Sequence, residues 1–262
     1  MRIARRLGED RLVARGLDGK SFVAARRGDH RLAEELSREE LAAWSAIGSS
    51  RCEVIAMRHI AVSLQHLGHL DQAKHLCDRA LVRWQELDDP AAIAHVQASL
   101  ADISRLRGDL EGALRLYEES FAEFRRIGDR RCTASTYKNL AVIAAARGEH
   151  GRSAAMLLDA VRLRYELGDY AGLAECFEAL AGDLATVGRF ADAVTLLAAA
   201  RQRRRASGAA ASAEDAMAVE RVEAMIRAAL PAQRSRQQPT GARRLSVEDA
   251  VAFVLALDPE PA

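Results

Sequence analysis

The chain has 262 residues, and its 38 basic side chains balance 37 acidic ones, so no whole-molecule field draws it to nucleic acid or to a membrane surface. Aromatics make up only 5%, and Pro231, Pro239, Pro259 and Pro261 all fall late, which leaves Pro90 alone across a very long stretch. That spacing suits helices and little else.

Cys52, Cys77, Cys132 and Cys176 form no C-x-x-C pair and no secreted disulfide framework. The opening "MRIARRLGED" lacks the apolar centre of a signal peptide, and no apolar run is long enough for a membrane span. A cytoplasmic protein that does not enter a membrane is expected.

Taken in chain order, residues 1–7 read as the end of a helix whose beginning is missing. Such a start leaves an apolar end exposed, which predicts a homodimer through the N-terminal end or a longer parent chain. Next, "ARGLDGKS" (Ala14 to Ser21) fits the loose spelling of a phosphate loop. A phosphate loop must follow a buried strand and open a helix. The preceding "RIARRLGEDRLV" is too charged for a central strand, and Ala14 stands where the motif wants glycine. A nucleotide-binding enzyme resting on Ala14 to Ser21 is kept only as a minor alternative, settled by replacing Lys20. The favoured expectation puts Lys20 on an imperfect first helix, weakened by Gly16 and Gly19.

From there a ladder takes over. Glycine recurs every twenty residues at Gly8, Gly28, Gly48, Gly68, Gly108, Gly128, Gly148, Gly168, Gly188 and Gly208, with Asp88 in the one gap. Glycine just past an apolar-periodic segment is a helix C-terminal cap. Asp29, Ser49, Asp109, Asp129, Glu149 and Asp169 follow as N-caps or first-turn acids, and Pro90 sits at a helix start. The spacing predicts helices of about 17 residues joined by tight turns, each roughly 25 Å long.

Alternate helices differ, so the true period is forty. One set, the inner helices, repeats Ile60-Ala61, Leu100-Ala101, Leu140-Ala141 and Leu180-Ala181. The other set, the outer helices, repeats small residues at Ala73, Ala113, Ser153 and Ala193, and again at Ala80, Ser120, Ala160 and Ala200. Small side chains in columns let helices approach, with Leu76, Leu116, Leu157 and Leu197 filling between them. Trp44, Trp84 and Phe124 form an aromatic column continued by Arg164 and Arg204. Cys52 and Cys132, which share a column with Ala92 and Gly172, read as small buried fillers, and Cys77 as core.

"YKNLAVIAAARGEHGRSA" (Tyr137 to Ala154) and "RGDLEGALRLYEESF" (Arg107 to Phe121) resemble the tetratricopeptide pattern: a large residue, Leu-Ala, Gly, then Ala-x3-aromatic. The forty-residue period resembles the longer-helix version in the sensor arms of bacterial LuxR-, MalT- or AfsR-like transcriptional activators. "ARRLSVEDAVAFVLALD" (Ala242 to Asp258) resembles the short helix that closes such arms. The resemblance implies an all-α right-handed α-solenoid of about five helical pairs over 1–230 with a capping helix. A flexible linker over 231–242 and a short C-terminal helix and tail over 243–262 complete the expected organisation.

Helical arrays present surfaces rather than catalytic centres. The inner helices are expected to line a groove through Arg58, Val62, Gln65, Asp102, Arg105, Lys138, Val142, Glu175 and Glu178, basic early and acidic late. A protein or peptide partner, or a small acidic effector, is the expected ligand, and no catalysis or cofactor is expected. A scaffold assembling pathway enzymes is the alternative. Only Lys138 and Asn139 match the lysine–asparagine clamp by which one tetratricopeptide subgroup holds a C-terminal carboxylate, so that activity is not carried over. His59 and His66 lie two turns apart, roughly 10.5 Å, too far for one ion, and no metal site is expected. The basic end, Arg201 to Arg205 with Arg227, Arg234, Arg236, Arg243 and Arg244, lacks a nucleic-acid signature and reads as solvated.

Overall fold

The computed structural model of the chain describes residues 9–229 and 245–257. The expected N-terminal helix end (1–7), the linker (231–242), and Arg234, Arg236, Arg243 and Arg244 lie outside the described residues. Within them the chain is all-α, with no strand. The helices are α1 (Asp10–Arg26), α2 (His30–Ile47), α3 (Ser50–His66), α4 (Leu70–Glu86), α5 (Pro90–Leu106), α6 (Leu110–Ile127), α7 (Arg130–Ala146), α8 (His150–Glu166), α9 (Tyr170–Thr186), α10 (Phe190–Ser207), α11 (Ala213–Ala229) and α12 (Val247–Leu255). They fall into two compact units, Met1–Ile127 and Gly128–Ala262.

The glycine ladder does what its spacing predicts. Gly28, Gly48, Gly68, Gly108, Gly128, Gly148, Gly168, Gly188 and Gly208 all have positive φ, closing each helix in the left-handed conformation. Asp88 fills the gap at φ 49°, the one non-glycine with positive φ among the described residues. A Cβ there is strained, so Asp88→Gly is expected to stabilise the fold by about 0.5–1 kcal/mol in urea unfolding, net of the entropy glycine adds to the unfolded chain.

The caps are partly as expected. Asp29, Asp89, Asp109, Asp129 and Asp169 each accept a hydrogen bond from the backbone N–H three residues on. Ser49 and Glu149 occupy N-cap positions but make no such bond, so those two helices start without side-chain caps.

In the first unit, α1/α2, α3/α4 and α5/α6 are antiparallel pairs, and the inner helices also touch in sequence, α1 with α3 and α3 with α5. The columns explain the close packing. Ala73, Ala80, Ala113 and Ser120 are fully buried on the outer helices, as are Ile60-Ala61 and Leu100-Ala101 on the inner ones. Trp44, Trp84 and Phe124 are buried in register. Leu76 and Leu116 are only half-buried, while Cys77 and Tyr117, one position on, reach the core. Cys52 is half-buried rather than core, and so is Cys132 in the second unit, because each stands at the first turn of its helix.

His30, the first residue of α2, stacks on His66 with ring centroids 4.1 Å apart. Burial, and then the neighbouring His66, hold His30 below the ordinary imidazole value of 6.5 against the opposing pull of Asp29. The unfolded chain therefore takes up this proton first as pH falls. The stabilising contribution is present above pH 6.5 and is lost as pH drops through the lower folded value. Thermal melts should fall between pH 7.5 and 5.5, and His30→Leu, which places the residue found at Leu70 and Leu110, should flatten that fall.

The second unit contains α7/α8 and α9/α10. Its core joins Leu157, Leu173, Phe177, Leu180 and Leu196, each burial worth roughly 1.5–3 kcal/mol. Helix α11 breaks the forty-residue rhythm. It lies chiefly on the inner helix α9 and only lightly on α10. Helix α12, capped as expected by Ser246 accepting from the Asp249 N–H at 2.9 Å, packs instead on the outer helices α8 and α10.

Candidate binding faces

In the first unit the expected groove residues share one side. Arg58, Val62 and Gln65 on α3 and Asp102 and Arg105 on α5 are all half-buried. The face is tied to the core through Tyr117 of α6, whose hydroxyl donates to Asp102. Burial, and then the Asp102 charge, push that phenol well above its ordinary value, so it stays protonated and remains a donor. Arg105 also lies within hydrogen-bonding reach of Tyr117. A polar face held from below in this way is preorganised, because its side chains have less rotamer freedom to lose on binding.

In the second unit the expected groove residues already have partners within the chain. Glu178 accepts from Arg204 Nε at 2.7 Å and Nη2 at 2.6 Å. Glu175 lies 3.2 Å from Arg164. Lys138 Nζ lies 3.5 Å from Asp215 Oδ1 at the start of α11. Burial pushes the Asp215 carboxyl up, but Lys138, Ser212 and Arg204 outweigh it and hold the group below its ordinary value. Val142 remains half-buried. Helix α11 completes the cover with Val222 and Ile226 buried, Val222 lying against Gly182. The acidic late groove expected from sequence is thus an internal ion-pair network. The same holds for part of the basic end, since Arg201 pairs with Glu223 of α11.

Ala14 to Ser21 lies wholly inside α1, so its backbone N–H groups belong to the helix and cannot cradle a phosphate. Ser21 is buried, donates to the Ala33 carbonyl at 3.0 Å, and lies 2.6 Å from Ser37 Oγ. The phosphate-loop alternative is therefore overturned. Burial pushes the Cys77 thiol up to about 12 and the Cys176 thiol up to about 11, so neither is a thiolate nucleophile at neutral pH. Asp183 is buried between Ser153 Oγ at 2.6 Å and His150 Nδ1 at 2.9 Å, beside an apolar pocket of about 460 Å³ open to solvent. Ser153 donates to the carboxylate and not to the imidazole, so the three residues do not have the serine–histidine–aspartate order of a catalytic triad.

One cluster escaped the sequence. Asp18 of α1, Glu40 of α2 and His59 of α3 bring ligand-type atoms within 4.8 Å of one another. Along the chain His59 is followed two turns later by His66, whereas its partners in space sit on two other helices. The usable signal was a break in a column: Glu40 stands where later outer helices carry Ala80, Ser120, Ala160 and Ala200.

Two overlapping stretches, residues 52–122 and 89–166, match the tetratricopeptide repeat family. These stretches are similar to tetratricopeptide repeats. They span α3 to α8, the helices that keep the columns most regularly. No curated protein sequence matches the chain. Among solved structures it is similar to BtubC (BKLC) from P. vanneervenii, at 24% identity over 78% of this chain and 87% of that one, with a TM-score of 0.59. It is also similar to tetratricopeptide-like repeats of a putative kinesin light chain from Podosopora anserina, at 17% identity over 74% and 95%, TM-score 0.51. A third is a Rap protein complexed with Competence and Sporulation Factor, at 16% identity over 83% of this chain and 65% of that one, TM-score 0.58. These likenesses are of fold. No helix among the described residues is long and apolar enough to cross a membrane.

Proposed function

We propose that the chain is a non-catalytic tetratricopeptide module that binds a protein or peptide segment, or a small acidic effector, along its inner helices. The observation that carries this reading is α11. It lies on the inner helix α9 with Val222 and Ile226 buried, and it forms ion pairs beyond α9, Asp215 with Lys138 of the inner helix α7 and Glu223 with Arg201 of the outer helix α10. The chain thus supplies an example of what an inner face accepts: an acidic amphipathic helix. In the first unit Arg58, Gln65, Asp102 and Arg105 are the residues that would meet such a partner.

The finer reading is a sensor or regulatory arm linked to bacterial transcriptional regulation, working in the cytoplasm. The forty-residue period and the short closing helix α12 support it, and so does the likeness to a Rap protein solved with a bound factor. The division into two units supports a second reading, a scaffold for several pathway enzymes. A homodimer through the N-terminal end remains part of the proposal.

The double charge reversal Arg58→Glu with Arg105→Glu tests the site. Binding of a synthetic acidic amphipathic peptide with the sequence of residues 213–229 should be lost while the melting temperature stays within a few degrees. Unchanged peptide binding would contradict the assignment of these residues. A sensor should bind one effector and change its scattering curve, whereas a scaffold should hold several partners with the curve unchanged.

A further inference from the structure

The three helices α1, α2 and α3 converge on a buried carboxylate. Glu40 is 2% exposed, on a column that is otherwise alanine or serine. A charge in that position is costly unless a counter-charge joins it. Its Oε1 accepts from Trp44 Nε1 at 3.3 Å, and its Oε2 faces His59 Nδ1, also at 3.3 Å. Asp18 Oδ1 approaches the same imidazole nitrogen at 3.6 Å.

These separations are long for charge-assisted hydrogen bonds, which run about 2.7–2.9 Å. The His59–Glu40 separation matches the distance between ligands that share one ion, and the His59–Asp18 separation is slightly longer. Nitrogen and oxygen donors held about 2.0–2.1 Å from a tetrahedral ion lie about 3.3–3.4 Å apart. The donor set, one imidazole and two carboxylates, suits zinc and its neighbours and leaves a position for water. Asp18 is half-exposed and His59 partly so, which gives an ion a way in, while Glu40 forms the floor.

We propose that Asp18, Glu40 and His59 form a binding site for one divalent transition-metal ion, clamping the first three helices together. The ion binds through His59 Nδ1 and offsets the negative charge of the two carboxylates. It ties α1, the helix weakened by Gly16 and Gly19, to the rest of the unit.

The experiment titrates the full chain, freed of metal, with Zn²⁺, reading heat, melting temperature and tryptophan fluorescence, because Trp44 is bonded to a ligand carboxylate. Co²⁺ in place of Zn²⁺ reports geometry through its visible spectrum. One equivalent should bind, raise the melting temperature and change the fluorescence. Glu40→Ala installs the residue that Ala80, Ala160 and Ala200 carry, so it should fold with metal-free stability at or above that of the parent. Its affinity for Zn²⁺ should fall by more than about 100-fold, beyond the loss that removing an outer-shell partner causes. His59→Asn, which installs the residue found at Asn139, serves as the second variant and should lose affinity equally. Absence of a stoichiometric Zn²⁺ or Co²⁺ response in the parent, or affinity retained in either folded variant, overturns the proposal.

Discussion

Replacing Arg164 by alanine is expected to lower the free energy of unfolding by about 3 kcal/mol, the lower end of what breaking a buried ion pair costs. Arg164 is buried in the second unit, at the column position where Trp84 and Phe124 stand in the first. It lies 3.4 Å from Asp169 and 3.2 Å from Glu175. Burial opposes the charge, but the neighbouring acidic groups, with the Glu175 and Asp169 carboxylates already ionised at neutral pH, more than offset it, so the guanidinium is held charged. Truncation removes the apolar stem as well as the charge. Glu175 is partly exposed and can rehydrate, which is why the lower end applies.

Gly172 probes the same packing from the other side. It occupies the column of Cys52, Ala92 and Cys132, and a Cβ there would overlap the Arg164 guanidinium and the Asp169 carboxylate. Helix propensity alone favours Gly172→Ala by about 1 kcal/mol, and overpacking of this kind costs about 1–3 kcal/mol, so a net loss is expected. Gly182→Ala is the control. Its nearest neighbour would be Val222 Cγ2 at 3.6 Å, an ordinary contact, so propensity should win and stability rise by about 0.5–1 kcal/mol. In the Arg164→Ala background the part of the Gly172→Ala cost owed to the guanidinium should disappear, leaving the part owed to the Asp169 carboxylate. Urea denaturation of the four proteins of that cycle measures the coupling; additive effects would mean that the guanidinium does not dictate the glycine.

Tyr117→Ala is expected to cost about 3–5 kcal/mol, the range for truncating a fully buried aromatic. Tyr117 has no exposure and anchors the inner face of the first unit through Asp102. Tyr117→Phe separates the two roles. The ring stays, Asp102 loses its donor, and the loss should be about 1–2 kcal/mol. If the first unit's inner face binds a partner, Tyr117→Phe should also weaken that binding out of proportion to its effect on stability, because Asp102 and Arg105 lose the group that orients them. Equal stability of the phenylalanine variant and the parent would show that the hydroxyl holds nothing.

Much of this architecture is legible without coordinates because the repeat constrains it many times over. A glycine every twenty residues has one physical meaning, and nine positive φ values carry it out. The Leu-Ala and small-residue columns predict the buried seams, and Ile60-Ala61 through Leu180-Ala181 are all buried. What periodicity hides is any residue that breaks it. Glu40 in an alanine column, Asp183 in the column of Ile103 and Ile143, and Arg164 in an aromatic column each depart from their neighbours. Each marks a polar cluster whose partners lie on other helices, and distance along the chain carries no record of those partners. The placement of α11 was hidden for a related reason. The ladder stops at Gly208, so no column says whether the next helix continues the stack or turns onto the inner face. The charges at Lys138, Glu175 and Glu178 therefore read from sequence as a groove awaiting a ligand, although intramolecular partners hold them.

The central claim is that the inner helices, and not the outer ones, receive the partner. Photo-crosslinking from single positions in the producing cell tests it most directly, with a crosslinking side chain at Val62 on the inner face of α3 and, separately, at exposed Val82 on α4. One discrete crosslinked product is expected from position 62, lost on adding Arg58→Glu and Arg105→Glu, and none from position 82. A product from position 82 with none from position 62 would contradict it.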